Sequence, residues 1–289
     1  MDFRNAVELL EYCEVKNKSL SEAMLEREMT LFHLSQEKVW ERMKHAYAIM
    51  KRATHLPLEK DLKSMGGLLG GEAKRLYKRY EEGKTVCGSL MAKAISYAVG
   101  VLEVNSSMGL IVAAPTAGSS GVIPGVLLAI QEEYALEDEV MVQALFNAGA
   151  VGYLITLNAT VSGAEGGCQA EVGAASAMAA AALCELMGGS PRECLDAAST
   201  ALTNILGLVC DPIAGLVEAP CQKRNAMGAS NALISAEMTL SGIRHLIPFD
   251  ETVEAMYKVG KSMPSELRET AMGGVAATPT ACQLCKGIF

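Results

Sequence analysis

Two long stretches of this chain, residues 106–130 and 140–164, contain no charged side chain, and they limit what it can fold into. Each is long enough to cross a bilayer, and the mean hydropathy of the chain is +0.22. A membrane span is flanked by aromatic belts and basic clusters, and neither stretch has them. The first is interrupted by Pro115, Pro124 and the turn T-A-G-S-S-G, and the second is rich in Asn, Thr, Ser and Gly. An uncharged helix can otherwise be buried on every side at the centre of a globular protein. Half of the residues are hydrophobic but only 5% are aromatic. Such a core has to be made of Ala, Leu, Val, Ile and Met, which suits closely packed helices.

The remaining patterning agrees. No strand-period alternation of any length occurs, nor any internal repeat, so the expected class is all-α: a multi-helix globular domain with central buried Ala/Gly-rich helices. Ser19 and Glu22 form a capping box ahead of one long amphipathic helix carrying Leu25, Met29, Phe32, Val39, Met43 and Met50. Near Met65, G-G-L-L-G-G marks a flexible turn, after which charges become scarce. The chain reads as a single domain, 1–289, with a charge-rich helical region at 1–64 and the chemistry-bearing region at 65–289. Further helices are predicted at 87–104, 122–134 (with Ser120 as N-cap), 138–158, 171–187, 224–245 and 250–259. S-P-R-E at 190–193 supplies an N-cap, a first-turn Pro and a box Glu for another helix reaching about residue 208.

The formal charge of -8 speaks against nucleic acid, which needs a basic patch. Nine cysteines at irregular spacing do not form a secreted disulfide framework. The N-terminal residues lack the basic and apolar regions of a signal peptide. Reduced thiols in the cytoplasm are expected.

Three of those cysteines stand in turn-like sequence at predicted helix ends: Cys168 in G-A-E-G-G-C-Q-A-E, Cys210 in G-L-V-C-D-P-I-A-G and Cys221 in E-A-P-C-Q-K-R-N. Loops can converge at helix ends, and the backbone amides there are free to bond sulfur. Three thiolates without a nearby histidine point to iron–sulfur chemistry with one iron position left for substrate. The spacing matches neither a zinc knuckle nor a ferredoxin. Zinc is disfavoured further because the CxxC at 282–285 has no second pair. A nucleophilic cysteine stays open, although no Cys–His pairing is visible. Cys184 and Cys194 lie inside helices and read as core. A second chemical segment, A-A-P-T-A-G-S-S-G-V-I-P-G at 113–125, offers hydroxyls and free amides at a helix start, a natural carboxylate site or simply a capped turn. No Walker lysine or dinucleotide fingerprint is present.

Together with L-M-A-K-A at 90–94 and E-V-N-S-S-M-G at 103–109, these segments resemble the alpha chain of the bacterial iron–sulfur L-serine dehydratases (L-serine ammonia-lyases that use no pyridoxal phosphate). The resemblance covers most of the chain from about residue 65. It implies an oxygen-sensitive [4Fe–4S] cluster on Cys168, Cys210 and Cys221, whose open iron acts as a Lewis acid on the carboxylate and β-hydroxyl of L-serine. A base takes the α-proton, hydroxide leaves, and aminoacrylate goes on to pyruvate and ammonia. Thr116, Ser119 and Ser120 are the candidates for holding the carboxylate. Lys223 and Arg224 either neutralise the cluster or assist with that carboxylate, or form a solvated basic turn. Glu165, Glu171 and Asp211 flank the ligands.

Two departures from the family pattern matter. The Ser-Ser-His motif that a beta subunit or an extra domain contributes is not found here, and His33, His45, His55 and His245 lie outside the matched motifs. The catalytic base is therefore expected on a beta partner. The tail T-A-C-Q-L-C-K-G-I-F places Cys282 and Cys285 short of the terminus, where either could cap the open iron at rest or serve as a redox or structural pair. Rival functions are an L-cysteine desulfidase and a non-catalytic thiol or zinc scaffold.

Overall fold

Charge-free sequence becomes the centre of a helical bundle. A computed structural model describes residues 2–288; among them the regular structure is helical apart from one isolated bridge between Cys210 and Arg268. In chain order the helices are α1 (Ala6–Lys16), α2 (Leu20–Phe32), α3 (Gln36–Glu59), α4 (Glu72–Glu81), α5 (Ser89–Ser106), α6 (Val122–Tyr134), α7 (Asp138–Asn158), α8 (Gly163–Gly166), α9 (Cys168–Leu186), α10 (Pro191–Thr203), α11 (Cys221–Leu240), α12 (Phe249–Ser262) and α13 (Pro279–Ile288). The all-α expectation is borne out.

The Ala-rich helix α9 is the axis. Every residue from Cys168 to Cys184 is buried, and α6, α7, α10 and α11 pack around it. Helix α7 is apolar and long enough to cross a membrane, but 67% of its apolar window is buried inside the protein. Small residues permit this close packing. A Cβ on Gly121 would lie 2.2 Å from the Ala98 carbonyl oxygen, and one on Gly125 would lie 2.8 Å from the Ala98 Cβ. Helix α6 therefore rests almost backbone to backbone on α5. Cys184 and Cys194 are fully buried in this core, as their helical context implied.

The two capping boxes form as read, Ser19 with Glu22 and Ser190 with Glu193. Other boundaries differ for local reasons. The long amphipathic helix is two helices: His33 adopts a left-handed conformation (φ 53°) and its amide closes α2 on Met29, after which α3 starts beyond Ser35. The apolar stripe runs across the break and conceals it. Helix α10 stops at Thr203 rather than near 208 because the chain is drawn away to α9. The Gly207 amide donates to the Gln169 side chain, and the Gln169 amide donates to the Leu208 carbonyl, each at 2.9 Å. Ser120 does not cap α6; its hydroxyl donates to the Ala117 carbonyl at 2.7 Å, and Gly121 holds the cap position. The G-G-L-L-G-G turn is pinned, not loose. Buried Glu218 accepts from the Ser64 hydroxyl and the Gly66 and Leu68 amides. Helices α4, α8 and α13 have no counterpart in the sequence reading, and α1 falls in the 1–64 region read only broadly as helical.

Lys93, from the L-M-A-K-A segment, is a buried cation. Its ammonium pairs with Glu132 at 3.1 Å, and Glu132 also accepts from the Tyr97 hydroxyl and meets His55 at 3.3 Å. Burial alone would raise the Glu132 carboxyl. The hydrogen bonds from His55, Tyr97 and Lys93 outweigh it and hold the group at about 2. This network ties α3, α5 and α6 together.

Two outcomes follow from this packing. Gly121→Ala, which forces α6 off α5, is expected to cost about 1–3 kcal/mol in urea unfolding. Glu132→Gln is expected to lower stability at neutral pH. Because the native carboxyl lies below its ordinary value of 4.5, its contribution is full above that value and fades as pH falls toward about 2. The gap in melting temperature between wild type and Glu132→Gln should therefore close over that range.

Candidate metal centre

Helices α9 and α11 run side by side in the same direction. Arg224 touches Cys168, Gly228 sits against Val172, and Asn231 donates to Ser176, pairing the two helices in order. Cys168 opens α9 and Cys221 opens α11, so two helix N-termini, each with unpaired amides and partial positive charge, meet at one place. Cys210 arrives on an extended segment. Its amide donates to the Leu267 carbonyl at 2.8 Å, and its carbonyl accepts from the Glu269 amide at 2.7 Å. The three cysteines are 1%, 5% and 1% exposed in the order Cys168, Cys221, Cys210.

The Cys168 and Cys210 sulfurs and a Glu171 carboxylate oxygen all lie within 4.8 Å of one another. Cys221 lies outside this triangle, but near enough for its thiol to respond to Cys168, Glu171 and Arg224. A hydrogen bond with Cys168, then burial, then the neighbouring negative charges push the Cys210 thiol far up. Burial, followed by Cys168 and Glu171, pushes Cys221 up to about 12, against a smaller downward pull from Arg224. Burial also raises Glu171, although Thr116 opposes it with a hydrogen bond. Thiols crowded in this way ionise only if positive charge arrives with them, which is how a metal centre deprotonates its ligands. The soft sulfur donors, free amides and flanking guanidinium are compatible with an iron–sulfur cluster.

Of the sequence-nominated residues, Arg224 is the most engaged. Its guanidinium donates to the Cys168 sulfur at 3.5 Å and the Val209 carbonyl at 2.9 Å, and pairs with Asp211 at 2.6 Å. Asp211, 2% exposed, also accepts from the Val275 amide at 2.6 Å. Thr116 donates to Glu171 at 2.5 Å and bonds the Ser119 hydroxyl at 2.9 Å. Ser119 and Ser120 are fully buried. A Cβ on Gly118 would lie 2.5 Å from Glu171, so the 116–120 loop rests on that carboxylate. Lys223 and Glu165 are exposed. Cys282 is exposed and Cys285 half-buried on α13, which packs on residues 213–215 between two of the site cysteines; neither belongs to the triangle. Histidines are absent from it too. His33 and His45 are exposed, His55 bonds Glu132, and His245 lies by Thr200 and Thr203.

One residue at the site was missed by sequence reasoning. Glu269 lies on the irregular segment between α12 and α13, which hooks over Cys210. No motif marks it; the only signal is the Pro and Gly-Gly that bracket M-P-S-E-L-R-E-T-A-M-G-G.

Fold and site together define an all-helical protein whose buried thiols converge as a candidate metal centre. The family model for the serine dehydratase alpha chain matches residues 15–276, and the chain belongs to that family. It is 50% identical over 287 residues to the probable L-serine dehydratase alpha chain of Bacillus subtilis, covering 99% of this chain and 95% of that one. It is 44% identical over 275 residues to the L-serine dehydratase alpha chain of Peptoniphilus asaccharolyticus, covering 95% and 94%. The L-serine dehydratase of Mycobacterium bovis is 37% identical over 289 residues, but the match spans 96% of this chain and only 61% of that protein.

The Asp211–Arg224 pair links α9, α11, the Cys210 segment and the strap at Val275, so its loss should be felt locally and globally. Asp211→Ala is expected to cost about 3–5 kcal/mol, the usual result of stripping one partner from a buried pair. Limited proteolysis should then cut first within residues 264–277.

Proposed function

We propose that this chain is the cluster-bearing alpha chain of a cytoplasmic L-serine dehydratase, a carbon–nitrogen lyase that converts L-serine to pyruvate and ammonia. The observation that carries the reading is the convergence of Cys168, Cys210 and Cys221 at the paired N-termini of α9 and α11, beside Arg224. These three thiolates would hold a [4Fe–4S] cluster. When bound, the cluster supplies a Lewis-acidic iron that makes the β-hydroxyl a better leaving group and the α-proton more acidic, the task that pyridoxal phosphate performs as an electron sink in other enzymes.

The chain's own residues set the stage for that chemistry. Arg224 is already committed to Cys168 and Asp211, so its charge offsets the thiolates. The 116–120 loop, with Thr116, Ser119 and Ser120, receives the substrate carboxylate, with Lys223 at the first turn of α11 adding positive charge. Loss of the α-proton and of hydroxide gives aminoacrylate and one water. Tautomerisation and hydrolysis then release pyruvate and ammonia. The proton acceptor comes from a beta subunit, a reading supported by the placement of all four histidines outside the thiol cluster and by the greater length of the Mycobacterium bovis relative. Cys282 or Cys285 would be the further ligand that holds the cluster at rest.

Anaerobic purification should yield a coloured protein with iron and sulfide in equal amounts near four each per chain, and Ser at position 168, 210 or 221 should abolish the colour. A colourless zinc protein would favour a scaffold. Pyruvate should form from serine in preference to cysteine, and only with the beta subunit present; the reverse preference would indicate a desulfidase, and full activity of the alpha chain alone would remove the need for a partner base. Cys282→Ser or Cys285→Ser should alter the resting cluster spectrum. Unchanged spectra in both would rule out tail capping.

A further inference from the structure

Glu269 stands out on geometry. It is a non-glycine residue at φ +63°, in the left-handed region that side chains avoid and that recurs at functional sites. Its backbone is fixed there, because its amide donates to the Cys210 carbonyl at 2.7 Å while the Cys210 amide donates to Leu267 at 2.8 Å. This pairing aims the side chain at the thiols. A Cβ placed on Gly163 would have three near neighbours: the Cys210 sulfur at 3.0 Å, a Glu171 oxygen at 3.2 Å and a Glu269 oxygen at 3.3 Å. The glycine thus leaves open a small volume that all three share. Glu171 is buried and bonded to Thr116. Glu269 is exposed, and its carboxylate takes no hydrogen bond or ion pair among the described residues. A free carboxylate therefore stands where the buried triangle opens to solvent.

Arg224, Lys223 and two helix N-termini bring positive charge to the site, while its buried carboxylates are already engaged, Glu171 by Thr116 and Asp211 by Arg224 and the Val275 amide. Apart from Glu269, these groups suit a carboxylate and include no exposed acid for an ammonium. An α-amino acid presents both groups on one carbon, so a site without Glu269 would favour the hydroxy acid. We propose that Glu269 receives the α-ammonium of the substrate and makes the site select amino acids over hydroxy acids, an inference that rests on the dehydratase reading above. The carboxylate is a specificity determinant in direct contact with substrate, and the strap from α12 to α13 is a wall of the substrate site.

The test uses the anaerobic enzyme with both chains and its cluster, and reads the change in visible absorption as ligand is added, without turnover of the analogue. The probes are L-serine and 3-hydroxypropionate, which lacks only the amino group. Wild type should bind L-serine more tightly. Glu269→Gln should weaken L-serine about 10–100-fold, the range for loss of a charge-assisted hydrogen bond, and leave 3-hydroxypropionate within about twofold, with iron content unchanged. Equal weakening of both ligands, no weakening of either, or loss of iron from Glu269→Gln would each overturn the proposal, the last by making Glu269 structural. Failure of L-serine to perturb the wild-type spectrum would instead sink the dehydratase reading itself.

Discussion

The parallel pairing of α9 and α11 is the contact on which the site depends. Parallel neighbours place like ends of two helix dipoles together, an arrangement that favours an anion at the shared N-terminal end. The pair is held lower down by buried polar contacts. Ser176 donates to the Gly228 carbonyl at 2.9 Å, and Asn231 donates to Ser176 and to the Ala201 carbonyl of α10 at 2.9 and 2.8 Å. Each of these groups is satisfied in the buried interior, so sliding one helix along the other would break several bonds at once. Cys168 and Cys221 are therefore placed by the interior of the bundle, not by the loops that precede them.

Cys210 is placed differently. Its segment has no helix of its own and is held by bonds to Leu267 and Glu269, by the Arg224–Asp211 pair, and by the Val275 amide on Asp211. One wall of the site is thus rigid core and the other is a strap laid on afterwards. The rigid wall carries the buried guanidinium of Arg224 and the two helix N-termini, and the strap brings the exposed carboxylate of Glu269 to the opening.

Much of this was legible in the sequence. Uncharged stretches without membrane flanks meant central helices, and Gly and Pro around Cys168, Cys210 and Cys221 placed these thiols at helix ends and in the segment between helices, not on helix faces. The boundaries that went astray were set by tertiary contacts. Helix α10 ends early because Gln169, far along the chain, takes the Gly207 amide. The break at His33 hides under a continuous apolar stripe, and Ser120 lost the capping role because Gly121 had to meet Asn225 and Ala98. Glu269 was invisible because its importance comes from a backbone pairing with Cys210 across the fold, and local patterning does not encode such a pairing.

The pairing of Cys210 with the strap also has a temporal side. During synthesis the three thiols leave the ribosome well before residues 267–275, which seat the middle one. Until those residues emerge, Cys210 lacks its backbone partners Leu267 and Glu269 and is held only through the bonds of Arg224 to Val209 and Asp211. Formation of the candidate metal centre is thereby tied to the arrival of residues 267–275, and a product truncated before them would carry every candidate ligand in the Cys168–Cys221 set yet lack part of the scaffold that presents them.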